Sequence, residues 1–249
     1  MNQSLNGLSI SVAMPIFNES DGIAETLTSI DAAFRDSGAT VTVCIQNDVS
    51  TDNTLHVLTE LETSLQLNIA VETNQQNSGH GPTTFAAYRR ALNTGSSIVM
   101  QLDSDGQFDA KELPMLCSAI ATGKEVAIGI RSNRVDPWFR KFLTCLLRNF
   151  LRARYMGRFP DPNSPIRAYS ASKLAPMLSE LPSEPLIPNI YLSILAVRKK
   201  LQVTYVHVSH RERRGSQSTG TMWQSTSQWK RISRLLKFCR KSFRQLLSF

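Results

Sequence analysis

Cysteine is scarce in this chain, and what there is lies scattered. The 249 residues include four, Cys44, Cys117, Cys145 and Cys239, and no two form a C-x-x-C pair. Such spacing argues against a zinc site and against a disulfide framework, and fits a reducing cytoplasm. Long hydrophobic runs are also missing. The longest candidate, 186–197, is interrupted by Pro188, Asn189 and Ser193. It falls short of the 18 or so apolar residues that a membrane span needs, so no span is expected. No basic stretch precedes the first apolar run, so a signal peptide is not expected. No internal repeat or low-complexity tract stands out.

Acid is almost absent from the C-terminal fifth. Between Arg198 and Phe249 the only acid is Glu212, against thirteen Lys or Arg. That segment therefore carries +12 of a total of +8, and the remainder is −4. The basicity belongs to the tail and needs its own explanation. Hydrophobic residues make up 41% and charged residues 19%, the balance of a folded protein that can bury a core.

What is present alternates between β-rich and helical patterns. Strands are expected at 8–14, closed by Pro15, and at 40–45, 67–71, 97–102, 125–130 and 201–208. Helices are expected from a cap at Ser20 or Asp21 to about Phe34, and from a cap at Asp52 or Ser50 to about Leu61. Further helices are expected over 84–92, 111–121 and 138–159. Strands alternating with helices imply an α/β protein with a mostly parallel sheet.

The stretch SIVMQLDSDGQF, 97–108, turns abruptly from apolar to acidic. Asp103 and Asp105 stand one residue apart where a strand should end, and open α/β sheets bind ligands beyond the carboxyl ends of their strands. Mg²⁺ commonly takes one or two carboxylates plus substrate phosphates. The pair therefore suits a metal-bound diphosphate, although Asp and Gly also favour plain turns.

Four ordered motifs carry a resemblance. SVAMPIFNES, QNDVSTDNT, NSGHGPTTFAAYRRAL and LDSDGQF resemble the elements of a family 2 glycosyltransferase with the GT-A (Rossmann-like) fold. In the second, Asn47 and Val49 replace the family's first Asp and its Gly. The resemblance covers about 8–218. It implies that Pro15, Phe17, Glu19, Asp48, Gly79 and Asp103 bind the nucleotide-sugar donor. It also implies that Asp103, Asp105 and Gln107 hold Mg²⁺ or Mn²⁺. Glu19, Asp48 and Asp52 also suit helix termini.

Three features resemble the polyprenyl-phosphate branch, such as dolichol-phosphate mannose synthase. Gln107 follows the second Asp by two residues. The segment from Asp161 to Arg167 partly matches Asp-x-x-Ser-Gly-Phe-Arg, with Pro165 and Ile166 replacing Gly and Phe. The run from His210 to Ser218 resembles Arg-x-x-Gly-x-Ser, with Arg213, or else Arg211, as the arginine. Arg131, at an expected strand end, suits a phosphate fork as well as a solvated turn. An acidic pair to act as general base is missing: only Glu184 is near, and Asn189 stands where the base would align. A lipid phosphate needs no base, because it is already anionic.

The expected activity is inverting transfer of a sugar to a polyprenyl phosphate. Asp105, Arg131, Arg211 and Arg213 are expected at the reacting centre, with the metal at the departing diphosphate. A saccharide hydroxyl acceptor, with Glu184 or Asp161 as base, is the alternative. A nucleotidyltransferase lacks its Gly-rich basic loop here. Nucleic acid is not an expected partner, because the tail segregates basic from apolar residues.

That tail, 223–249, places Trp229, Ile232, Leu235, Leu236, Cys239, Phe243, Leu246 and Leu247 on one helical face. Lys230, Arg231, Arg234, Lys237, Arg240, Lys241 and Arg244 fall opposite. A catalytic domain at 1–220 is expected to precede a basic amphipathic helix at 221–249. The helix is expected to lie on an anionic membrane surface at its cytoplasmic face.

Overall fold

The computed structural model describes residues 5–132, 138–211 and 228–249. Its strands and helices alternate for most of the chain. They run β1 (Ser9–Ile16), α1 (Ile23–Phe34), β2 (Thr40–Asn47), α2 (Thr54–Leu61), β3 (Asn68–Thr73), α3 (His80–Asn93), β4 (Ile98–Gln101), α4 (Leu113–Ala121) and β5 (Val126–Ser132). Then come α5 (Trp138–Tyr155), β6 (Arg167–Ser170), α6 (Ala171–Ser179), α7 (Pro188–Arg198), β7 (Val203–Ser209) and α8 (Gln228–Leu247).

The sheet order is β3-β2-β1-β4-β6-β5-β7. Strands β3, β2, β1 and β4 are mutually parallel, β5 is parallel to β7, and β6 runs antiparallel to both its neighbours. The mostly parallel sheet agrees with the sequence. Strand β6 was not expected: its four residues are too few to show a period, and only flanking by β4 and β5 makes them a strand. Helices α6 and α7 were not expected either. Nine residues of α7 are buried in succession, which leaves no amphipathic stripe to read.

Side chains alternate between two cores. Ile10, Val12, Met14 and Ile16 join α1, Leu58 of α2 and α4 on one face. On the other, Ala13, Cys44 and Val99 join residues of α3, α6 and α7, with Leu151 of α5 and Leu246 of α8. Both faces are covered, as parallel sheets require.

Several boundaries differ from expectation for local reasons. Pro15 does not close β1, which continues to Ile16. The Ala13 carbonyl accepts from Leu102 on the β4 side, so by alternation Pro15 faces that side too, beyond the end of β4, where no donor is needed. Helix α1 starts later than Ser20 or Asp21 would cap it, because the Glu19 carbonyl takes the amides of Gly22 and Ile23. Ser50 does not cap α2, whereas Asp52 does accept the Thr54 amide, at 3.0 Å. Helix α3 begins at His80, four residues earlier than its pattern suggests. It starts from Gly79, whose φ of +83° is a left-handed conformation that glycine adopts readily. No helix among the described residues is long and apolar enough to cross a membrane.

Candidate active site

The parallel strands β1, β2 and β4 end at one edge, and the loops beyond them are stitched together. The Asn18 amide donates to Ser50 Oγ at 2.9 Å, and the Thr51 amide to Asn18 Oδ1 at 2.8 Å. The Glu19 amide donates to Thr54 Oγ1 at 2.9 Å, and the Ser20 amide to Asp52 Oδ2 at 3.1 Å. Burial works against the charge on Asp52, but bonds from Thr54 and Ser20 outweigh it and hold its carboxyl below the usual range. Pro15 and Glu19 are buried at this edge and Phe17 is half-buried.

Asp48 anchors the loop ahead of α3. Its Oδ1 accepts from Asn74 Nδ2 at 2.7 Å and from the Ser78 amide at 2.8 Å, and its Oδ2 from the Gly79 amide at 2.9 Å. Beside it, the replaced residues show how the motif is rebuilt. Asn47 Oδ1 accepts both the amide and the hydroxyl of Ser50, at 3.0 and 2.6 Å. Val49 has φ of +61°, an outlying conformation for a β-branched residue.

The acidic motif follows β4. Asp103 Oδ1 accepts from Gln101 Nε2 at 3.0 Å and lies 3.7 Å from His80 Nε2. Asp105 Oδ1 accepts the Gln107 amide at 3.2 Å. Phe108 pairs with His210, and the Arg211 amide donates to the Gln107 carbonyl at 3.2 Å. The Gln107 side-chain nitrogen donates to the Arg211 carbonyl at 3.4 Å. Arg211 pairs with Asp109. The fold thus brings Asp103, Asp105, Gln107 and Arg211 into one neighbourhood. Arg213 lies outside the described residues.

Arg131 departs from expectation. It was placed against a phosphate, but it turns its Nε and Nη2 edge to Asp161, at 2.8 and 2.9 Å, with both side chains nearly buried. The cause is the return of 161–167 toward the sheet. Arg167, fully buried there, donates to the carbonyls of Pro162 and Ser164, both at 2.6 Å, and to the Ser193 hydroxyl at 3.0 Å. Glu184 is exposed, while Asn189 is buried and hydrogen-bonded to Gln101 at 3.0 Å. His80 and Gln101 were missed as site residues. The signal for Gln101 was available: an uncharged polar residue in an otherwise apolar strand.

A profile of glycosyl transferase family 2 matches residues 11–172. The chain belongs to that family. Two undecaprenyl-phosphate 4-deoxy-4-formamido-L-arabinose transferases are similar to this family 2 member. The one from Pectobacterium carotovorum subsp. carotovorum (strain PC1) is 26% identical over 198 residues, covering 80% of this chain and 59% of the relative. The one from Edwardsiella ictaluri (strain 93-146) is 26% identical over 209 residues, covering 84% and 62%. The chain thus spans about three-fifths of the length of these relatives. Among solved structures, glucosyl-3-phosphoglycerate synthase from Mycobacterium tuberculosis superposes with a TM-score of 0.66 at 20% identity, over 97% of this chain and 79% of that one. It was crystallised with Mg²⁺ and uridine diphosphate. The likeness establishes the α/β GT-A fold.

The donors in this family 2 site suit a hard divalent cation. Among the described residues no three His, Cys, Asp or Glu side chains gather to hold a metal unaided. Two aspartates with one amide oxygen leave most of a shell to water and phosphate, which is how Mg²⁺ is commonly bound. The chemistry open to such a site is stabilisation of a departing diphosphate.

Proposed function

We propose that this family 2 glycosyl transferase moves a sugar, with inversion, from a nucleoside diphosphate to a polyprenyl phosphate. The observation that carries the reading is Asn189. Where a hydroxyl-activating base would stand, its buried amide is tied at both ends, donating to Gln101 and accepting from the Tyr88 hydroxyl at 2.9 Å. An amide at neutral pH takes up no proton, and a phosphate nucleophile has none to give. Of the two candidate bases, Asp161 has both oxygens engaged by Arg131. The similar transferases named for undecaprenyl phosphate support the same acceptor class.

In this reading Asp103, Asp105 and Gln107 hold Mg²⁺ or Mn²⁺, which supplies Lewis-acid charge at the diphosphate when bound. Pro15, Phe17, Glu19, Asp48 and Gly79 shape the donor cleft. Arg211 and Arg213 neutralise and orient the acceptor phosphate. Its oxygen attacks the anomeric carbon as the bond to the diphosphate breaks, and no proton changes hands. The basic helix α8 sets the site against the anionic cytoplasmic face of a membrane, where a lipid phosphate is found.

The test offers labelled nucleotide sugars to the purified protein with membrane extract. Label should enter organic solvent as a mild-acid-labile sugar phosphate lipid. Label found only in water-soluble saccharide would replace this reading with the hydroxyl acceptor, for which Glu184 is the exposed carboxylate in reach of test by Glu184→Gln.

A further inference from the structure

Gln101 is fully buried in β4, among Ile98, Val99 and Met100. A buried amide is costly unless it is hydrogen-bonded, and this one is bonded at both ends. Nε2 donates to Asp103 Oδ1 at 3.0 Å, and Oε1 accepts from Asn189 Nδ2 at 3.0 Å. Asn189 Oδ1 in turn accepts from the Tyr88 hydroxyl at 2.9 Å. Tyr88 and Asn189 are buried too, so the chain of bonds links β4, α7 and α3 out of water.

The direction of every bond follows from one end. A carboxylate only accepts, so Gln101 must present its NH₂ to Asp103 and its oxygen to Asn189. Asn189 must then present its NH₂ to Gln101 and its oxygen to Tyr88, which must donate. All three donors point toward Asp103, an arrangement in which each bond polarises the next. Burial pushes the Tyr88 phenol well above its usual range, so the last donor keeps its proton.

We infer that Gln101 is a positioning residue that presents one oxygen of Asp103 to the divalent cation, with Asn189 and Tyr88 fixing the orientation of Gln101. The inference rests on the reading of Asp103 as a metal carboxylate. It also gives Asn189 a task of its own, distinct from any base.

The test is titration of the full-length protein with Mn²⁺ alone, followed by electron paramagnetic resonance of the free ion, with melting temperature measured in parallel. Gln101→Met keeps the length and removes both bonds. It should weaken Mn²⁺ binding about 10-fold or more, the loss typical when an outer partner of a metal ligand is removed. Tyr88→Phe should weaken it by a smaller factor. Added to Asp103→Asn, Gln101→Met should cost no further affinity, because it acts through Asp103. A Gln101→Met protein that melts earlier but binds Mn²⁺ like the wild type would overturn the inference and leave Gln101 a core residue. If Gln101→Met does not fold, unchanged affinity in Tyr88→Phe overturns it instead. Wild-type affinity in Asp103→Asn itself would remove the metal reading, and the inference with it.

Discussion

The Arg131 guanidinium grips the Asp161 carboxylate through two bonds, Nε to Oδ2 at 2.8 Å and Nη2 to Oδ1 at 2.9 Å. Removing one partner of a nearly buried pair strands the other charge. Arg131→Ala should therefore lower stability by about 3–5 kcal/mol in urea denaturation. Asp161→Asn, assayed well below its melting temperature, should retain most of its transfer activity. Loss of about 100-fold or more in that variant is what a general base would show, and would return the hydroxyl acceptor to first place.

The acidic motif makes a separate prediction. Asp103→Asn and Asp105→Asn each remove one negative charge at almost no steric cost, just past the end of β4, and an amide oxygen at position 103 can still accept from Gln101. Transfer should fall below detection while the melting temperature stays near that of the wild type, and excess EDTA should do the same to the native protein. Near-normal rates in both variants, or activity in EDTA, would remove the metal from the site.

Much of this arrangement was legible before the structure, and the reason is positional. Ile98, Val99 and Met100 announce a buried strand, and Asp103 and Asp105 follow where strand ends carry ligands. The same logic places Asp48 after β2. What could not be read depended on distant contacts. The fork of Arg131 is claimed by Asp161, thirty residues on. Strand β6 exists because β4 and β5 flank it. Helix α7 buries nine residues in succession, so the sequence could align Asn189 with a base position but could not show its bonds to Gln101 and Tyr88. Gly81 belongs to the same class: a Cβ there would collide with the Leu186 carbonyl, a close approach invisible in a local pattern.

Val49 gives a prediction about stability. It replaces a glycine of the family motif yet keeps φ at +61°. The left-handed region costs an L-residue about 1–2 kcal/mol, and glycine returns part of the gain through its freer unfolded chain, about 0.5–1 kcal/mol. Val49→Gly should leave the protein more stable by up to about 1 kcal/mol in urea denaturation. A loss of stability would mean that the half-buried Val49 side chain contributes more packing than its backbone costs.

The tail helix divides its apolar arc between the protein and its surroundings. Leu246 is buried at 1% exposure, and Gln245 Oε1 accepts from the Tyr191 hydroxyl at 2.9 Å and from the Leu186 amide at 3.0 Å. The Phe249 ring lies 4.6 Å from that of Tyr191. Helical spacing puts Leu235, Cys239 and Ser242 on this docked side with Leu246. Leu236, Phe243 and Leu247, 63%, 47% and 50% exposed, fall just past its edge, between the docked side and the basic face. Phe243 meets Phe150 of α5, ring centroids 5.4 Å apart, and Leu143 and Leu146 of α5 are exposed as well. An apolar edge beside exposed Arg240 and Arg244 suits a helix lying in a bilayer interface. Deleting 223–249 would also take Leu246 out of the core, so substitutions at the exposed edge make the cleaner test. Joint replacement of Leu236, Phe243 and Leu247 by Ser should abolish sedimentation with anionic liposomes at little cost in melting temperature. Lys237, Lys241 and Arg244 changed together to Gln should weaken it by about 3 kcal/mol, near 1 kcal/mol for each charge, and flatten its dependence on salt. Full-length protein that ignores anionic liposomes, or a serine variant that sediments as before, would leave α8 a docking helix of the catalytic domain and remove the membrane from the mechanism.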